Sequence, residues 1–472
     1  MRHTKIICTL GPASSDEAVI RQMLENGMNI ARFNFSHGDH ESHKELIERF
    51  RSVRDEMELP AAVLLDTKGP EIRIGNFENG FVYLDEGAKF TLTTEEIIGD
   101  SQRVYMNYAN LPSELKPGVR LLLDDGKISL IAEEITKTEI RCRVTDGGTL
   151  SNKKSVNIPY HHLNMPYLSE KDKSDLIFAI ENDVDFVAAS FVRSKDDVIA
   201  LRKFLDFNGG HSIRIISKIE NNEGVDNFDE ILQHSDGIMV ARGDMGVEVE
   251  FERLPGLQKM MIKKCYQSGK MVITATQMLE SMIKSPTPTR AEISDVANAV
   301  FDGTSAVMLS GETAMGVNPA KVVSVMAKIA EQAENDAFAM DAFNGYQYEI
   351  DENDIANAIC DAACTTARDI HAKAVIAVTK SGHTARRASK FRPQEIIVGA
   401  TPDIKTFHQL SLSWGVAPVL ALNQTSSDAL FMHAIDCAKQ IDLVQKGDTV
   451  VIIAGIPVNI PGMTNLIKVA TV

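Results

Sequence analysis

The stretch Arg214-Ile215-Ile216-Ser217-Lys218-Ile219-Glu220-Asn221 decides the fold. It opens as a β-branched apolar run, the composition of a strand buried on both faces. It ends in a lysine and a glutamate two residues apart. Side chains at i and i+2 of a strand share a face, so Lys218 and Glu220 aim the same way at its C-terminal end. Working outward, seven runs of the same kind surround it: "KIICT" (5–9), "NIARFNF" (29–35), "AAVLLDT" (61–67), "DFVAASF" (185–191), "GIMVARGD" (237–244), "MVITAT" (271–276) and "SAVMLS" (305–310). Between most of them lie helical patterns such as "DEAVIRQMLENG" (16–27) and "GLQKMMIKKCYQSG" (256–269). Strand–helix alternation implies parallel pairing, and eight such units predict a closed (β/α)8 TIM barrel rather than an open sheet.

One gap is too long for a crossover helix. From Pro70 to Pro166 the pattern changes to short strands, among them "KFTLTT", "RVYMNY" and "EIRCRVTDGG", with Asp125-Gly126 as the clearest hairpin turn. This predicts an all-β domain inserted after the third barrel strand, standing as a lid over the barrel's C-terminal face. After residue 345 alternation resumes with "AVIAVT" (374–379), "EIIVGAT" (395–401), "APVLAL" (417–422), "TVVIIAG" (449–455) and "NLIKVAT" (465–471), an open α/β domain. The expected division is barrel 1–69, lid 70–166, barrel 167–345 and C-terminal domain 346–472.

The chain of 472 residues has 49 basic and 65 acidic side chains, net −16. That balance excludes nucleic acid and anionic membranes as main partners. It also means that anionic substrates must be bound by local cations. Six scattered cysteines form no CxxC pair, so a zinc site is not expected, and Cys360 and Cys364 are spaced for one buried helix face. The N-terminus has no signal-peptide pattern and no run reaches membrane-spanning length, so a cytoplasmic location is expected.

In a barrel of this kind, polar residues at strand C-termini share one mouth. Here they are Arg32, Asn34 and Ser36; Asp66 and Thr67; Lys218 and Glu220; Arg242, Gly243 and Asp244; Thr274 and Thr276. Glu220 and Asp244 supply hard oxygen ligands suited to Mg²⁺ or Mn²⁺. Asn34, Ser36, Asp66 and Thr67 form an oxygen cluster of one formal charge, suited to a monovalent cation. Arg32, Arg73 and Lys218 remain as cations. Metal, arginine and lysine together are the equipment of phosphoryl transfer. Two unit charges of like sign about 4 Å apart repel by about 4 kcal/mol at an effective dielectric of about 20, so joining two phosphorylated reactants needs several cations. There is no P-loop and no protein-kinase motif set. "GDMGVE" (243–248) opens a helix whose amides could face a carboxylate or phosphate, and "TKSGHTARR" (379–387) forms a second anion-binding candidate.

"ARFNFSHG" (31–38), "LLDTKGPEIR" (64–73), "SKIEN" (217–221), "MVARGDMGVE" (239–248), "TATQMLESMI" (274–283), "PTRAE" (288–292) and "MLSGETA" (308–314) closely resemble the pyruvate kinase family, in that family's order and across essentially the whole chain. The resemblance implies phosphoryl transfer from phosphoenolpyruvate to ADP, giving pyruvate and ATP, with Mg²⁺ or Mn²⁺ and K⁺ as cofactors. By motif, Lys218 resembles the residue that neutralises the moving phosphoryl group and the enolate. Glu220 and Asp244 resemble the divalent-metal ligands, and Gly243 and Asp244 those whose amides meet the substrate carboxylate. Thr276 resembles the threonine beside the carbon that is protonated, and Arg32 the phosphate-binding arginine. Asn34, Ser36, Asp66 and Thr67 match the K⁺ site, while Asn34, Arg73 and Lys154 match nucleotide contacts. Glu71 is similar to that of members that depend on K⁺.

The resemblance further implies a homotetramer, with Thr379, Ser381, Gly382 and Thr384 forming an effector phosphate loop. The loop 454–465 has no arginine, lysine or tryptophan, where family members that bind a sugar bisphosphate often carry such residues, so the resemblance points to a sugar monophosphate or AMP. Ser155 and Tyr160 replace glycines common in the family at the lid's return hinge. The extra phosphohistidine-type domain of some bacterial members is not expected. The rival reading is a Mg²⁺-dependent barrel lyase or aldolase stabilising a pyruvate enolate, which would need no nucleotide.

Overall fold

The computed structural model describes residues 1–343, 354–424, 426–457 and 463–472. Eight parallel strands, Lys5–Thr9, Ile30–Asn34, Ala62–Asp66, Phe186–Ala189, Arg214–Ile219, Gly237–Ala241, Met271–Ala275 and Ala306–Leu309, close into a barrel, the first strand pairing with the second and the last. Strand alternation divides their side chains between two cores. Ile7, Leu64, Ile216, Met239, Ile273 and Met308 fill the interior. Ile6, Val63, Ile215, Ile219, Val240 and Val307 pack outward under the helices. Since Ile216 points inward, Lys218 lies on the inward face at the C-terminal mouth, with Glu220 just past the strand end.

Between the third and fourth barrel strands the chain builds a six-stranded sheet and a separate two-stranded one. This insertion has its own core, which includes Phe90, Leu92, Leu121, Leu130 and Ile140. Strands Arg120–Leu123 and Ile128–Ile135 pair antiparallel around the Asp125-Gly126 turn. Three further strands, Phe81–Leu84, Gly148–Ser151 and Val156–Asn157, were not expected from sequence. Phe81 and Tyr83 are exposed, and Val156–Asn157 is too short to carry a period. The two ends of the insertion lie side by side: Arg73 bridges to Ser155, and the Ile74 amide donates to the Lys154 carbonyl at 2.9 Å.

The C-terminal sheet has five strands, four parallel (Ala374–Val378, Ile396–Thr401, Val416–Leu420, Thr449–Ala454) and an antiparallel edge, Leu466–Thr471. Strand–helix alternation alone would have made that edge parallel. The connection preceding it, residues 455–465, is too short for a crossover helix, which forces the antiparallel return. The boundary expected at residues 345/346 lies outside the described residues, as do residues 458–462 of the loop 454–465. All six cysteines are free and buried, Cys360 and Cys364 on the inner face of helix Ile355–Asp369. Among the described residues no helix is long and apolar enough to cross a membrane.

The C-terminal domain seals the N-terminal end of the barrel, opposite the mouth. Leu412 joins the barrel's interior core. Lys5 Nζ donates to the Val416 carbonyl at 2.8 Å, and Lys405 pairs with Asp183 at 2.7 Å.

Candidate active site

Asp66 organises the mouth. It is fully buried at the end of the third strand and opposite Asn34 of the second. Arg32 Nε donates to its Oδ2 at 2.7 Å, and Lys218 Nζ to its Oδ1 at 3.1 Å. A single carboxylate thus joins two of the expected cations, which are 8% exposed each. The other arm of Arg32 donates to Thr9 Oγ1 at 2.8 Å. Lys218 Nζ also donates to Ser190 Oγ at 2.7 Å, and the Ser190 hydroxyl donates to the Thr67 carbonyl at 2.7 Å. Thr9 and Ser190 are strand-end hydroxyls that sequence reasoning missed. Each is the polar residue closing its strand, which is the signal that could have found them.

Glu220 faces Lys218 at 2.9 Å, but the geometry is not that of a hydrogen bond. Its Oε1 is buried with no hydrogen-bond partner, while Oε2 accepts from the Phe191 amide at 2.6 Å. Burial pushes the Glu220 carboxyl up to about 8, Lys218 offsetting only part of that effect. Burial would also raise Asp66, but Lys218 and Arg32 outweigh it and hold Asp66 below the usual carboxylate range. Burial would lower Lys218, yet Asp66 and Glu220 keep it above the ordinary lysine value. The lysine is therefore a fixed cation, and Glu220 is the carboxylate left short of positive charge.

The segment after the sixth strand forms the helix Arg242–Glu248, with Gly243 and Asp244 in its first turn. The Gly243 amide donates to Thr276 Oγ1 at 2.8 Å, which brings two expected substrate groups together. Thr274, in contrast, belongs to the barrel wall: it is fully buried and bonds Thr304 Oγ1 at 2.9 Å. Asn34, Ser36, Asp66 and Thr67 gather at adjoining strand ends, where Asn34 Oδ1 accepts from the Ser36 amide at 3.1 Å and the Phe35 amide donates to the Asp66 carbonyl at 2.9 Å. Gly69, which leads into the lid, has φ +72, and a Cβ there would lie 2.8 Å from the Ser190 carbonyl oxygen, so only glycine fits.

Arg73 and Lys154 are neighbours on the lid's two connecting strands rather than members of the Lys218 cluster. Arg73 grips both oxygens of Glu71 and donates to the Lys153 carbonyl at 2.7 Å. Lys154 Nζ lies 2.8 Å from Asp124 Oδ1. The lid reaches the barrel through Asn157, whose side-chain amide donates to Glu248 Oε1 at 2.9 Å.

In the C-terminal domain, Gly382 at φ 77 precedes helix His383–Lys390. Thr379, Ser381 and Thr384 line a cavity of about 100 Å³ together with Thr464, and Thr384 Oγ1 lies 2.8 Å from Thr464 Oγ1.

The family model of the pyruvate kinase barrel domain matches residues 1–323, and that of the pyruvate kinase alpha/beta domain residues 357–470. The chain is 48% identical to a pyruvate kinase of Clostridium acetobutylicum, with all of both chains covered. It is 46% identical to a pyruvate kinase of Clostridium perfringens, covering 99% of each chain. It is also 46% identical to one of Staphylococcus saprophyticus, covering 99% of this chain and 80% of the relative.

Proposed function

The chain belongs to the pyruvate kinase family, and from that membership we propose that it moves the phosphoryl group of phosphoenolpyruvate to ADP, releasing pyruvate and ATP in the last step of glycolysis. The observation that carries the reading is the contact set of Lys218: Asp66 at 3.1 Å, Ser190 at 2.7 Å and Glu220 at 2.9 Å, with Arg32 on the far side of Asp66.

Arg32 and Lys218 bind the phosphoryl oxygens. In the transfer, the bond from phosphorus to the enol oxygen breaks as a bond to a terminal ADP oxygen forms. Lys218 stays beside the enolate oxygen left behind, a charge fixed before the reaction and therefore free of reorganisation cost. Thr276 sits beside the carbon that takes up a proton to give pyruvate, while Gly243 and Asp244 meet the carboxylate. Arg73, Lys154 and Asn34 serve the nucleotide once the lid closes.

The buried Oε1 of Glu220, ion-paired with Lys218 but accepting no hydrogen bond, fits a divalent cation held with Asp244, Mg²⁺ or Mn²⁺, and the all-oxygen set Asn34, Ser36, Asp66 and Thr67 fits K⁺. When bound, these ions supply positive charge that offsets repulsion between the two anionic reactants. Glu71 goes with K⁺ dependence.

We further propose domain limits of 1–69 with 167–345 for the barrel, 70–166 for the lid and 346–472 for the C-terminal domain. A phosphate-bearing effector, a sugar monophosphate or AMP, occupies the loop of Thr379, Ser381, Gly382 and Thr384. The protein is a cytoplasmic homotetramer; sedimentation of a monomer alone at micromolar concentration would contradict that state. The test of function is pyruvate production from phosphoenolpyruvate with Mg²⁺ and K⁺. It should require ADP and form ATP in equal amount. Turnover without nucleotide would instead identify a lyase.

A further inference from the structure

The strand Met271–Ala275 ends abruptly. The next two residues, Thr276 and Gln277, both have left-handed backbone, φ 68 and φ 54. For a β-branched residue this is a strained conformation that persists only when its surroundings hold it. The holder is visible. Arg242 is 7% exposed, and its Nη2 donates to the Thr276 carbonyl at 2.6 Å while Nε donates to the Ala275 carbonyl at 3.3 Å. Its Nη1 is occupied by Asp295 at 2.7 Å and Gln258 at 3.4 Å. The adjacent Gly243 amide fixes the threonine hydroxyl from the other side, at 2.8 Å. The end of the sixth strand thus grips the end of the seventh twice.

We infer that Arg242 is a positioning residue for the transfer reaction: it clamps the Ala275 and Thr276 carbonyls and so keeps the Thr276 hydroxyl at Gly243 beside the barrel mouth. Each of its three nitrogens already donates to a protein acceptor, so it acts through Thr276 rather than on a substrate. The role needs an arginine, because one planar fork serves two carbonyls and a carboxylate together, which an ammonium cannot reproduce in that geometry. The inference rests on the reading of Thr276 as a substrate-side group.

The test is a set of variants assayed for kcat, phosphoenolpyruvate dissociation constant and thermal midpoint: Arg242→Gln, Thr276→Ala, their combination, and Gln277→Gly added to Arg242→Gln. Arg242→Gln should lower kcat by about tenfold or more, with phosphoenolpyruvate binding changed by less than about threefold. In the Thr276→Ala background it should lower kcat by no more than about twofold, since both changes remove one interaction. Gln277→Gly should return at least about threefold in kcat, because glycine takes up left-handed backbone without a clamp. A merely structural arginine predicts otherwise: its loss would multiply onto Thr276→Ala, follow the thermal midpoint, and resist rescue by glycine. Either multiplication or absence of rescue overturns the inference. Wild-type kcat in Thr276→Ala overturns the reading beneath it, a separate result. Should Arg242→Gln not fold, Arg242→Lys carries the same comparisons.

Discussion

Asp66 carries more than the monovalent-ion role that its motif implies. It is the shared counter-charge of Arg32 and Lys218, so Asp66→Asn leaves buried Arg32 without its carboxylate and Lys218 with Glu220 alone. Breaking a buried pair typically costs about 3–5 kcal/mol. Urea unfolding should register a loss of that size, and kcat should fall at least about a hundredfold; a loss below about 1 kcal/mol would show that the pair is not buried in solution. Ser190→Ala removes one acceptor of Lys218 Nζ but no charge. It should lower kcat by about three- to tenfold while leaving phosphoenolpyruvate KM within about twofold, measured by steady-state kinetics. The charged members of this site were readable because strand period and residue chemistry agree: Ile216, Lys218 and Glu220 fall on one face. Ser190 and Thr9 were not, because a lone hydroxyl at a strand end carries no charge signal, and its partner lies more than a hundred residues away for Ser190–Asp66.

At the scale of elements, the lid was legible as an all-β insertion from its Asp-Gly turn and short strands, but three of its strands were not. Phe81–Leu84 is apolar on both faces although only Val82 and Leu84 turn to the core, Gly148–Ser151 buries Leu150 alone, and Val156–Asn157 is two residues long, so none shows an alternating pattern in the sequence. The return hinge departs from the family's glycines. Tyr160 holds φ 62, and Ser155 Oγ donates to Asp125 Oδ1 at 3.1 Å, tying the hinge to the hairpin turn. Left-handed backbone costs a non-glycine residue about 1–2 kcal/mol. Glycine would remove that strain but also enlarge the unfolded ensemble by a comparable amount. Tyr160→Gly should therefore leave the thermal midpoint nearly unchanged while hydrogen exchange across residues 152–165 speeds up. A protein with unaltered exchange there would show that the hinge is rigid for other reasons.

For the whole molecule, the barrel closes at its N-terminal end on the C-terminal domain, and Lys5 is buried at that joint beside a cleft of about 950 Å³. Burial, with Arg2 adding repulsion, pushes Lys5 down to about 7. The unfolded lysine keeps its proton to about pH 10.4. Between those limits the unfolded state binds more protons, so this group makes stability rise with pH from about 7 upward, and its penalty is fully present below about 7. Lys5→Met should raise the thermal midpoint at pH 6.5 and flatten that rise; an equal drop at every pH would mean that the bond to the Val416 carbonyl outweighs desolvation. Closed-barrel topology followed from counting strand–helix units, whereas the antiparallel last strand and this sealed base depend on connection length and on contacts between distant segments. Phosphoryl transfer in this molecule depends on Lys218 acting as the fixed cation at the mouth. Rapid-quench measurement of a single turnover, from enzyme-bound phosphoenolpyruvate to ATP, tests this most directly when wild type is compared with Lys218→Met. With the fixed cation gone, the transfer rate should be at least about a thousandfold slower and phosphoenolpyruvate binding within about tenfold; a rate within about threefold of wild type would show that Lys218 does not have this role.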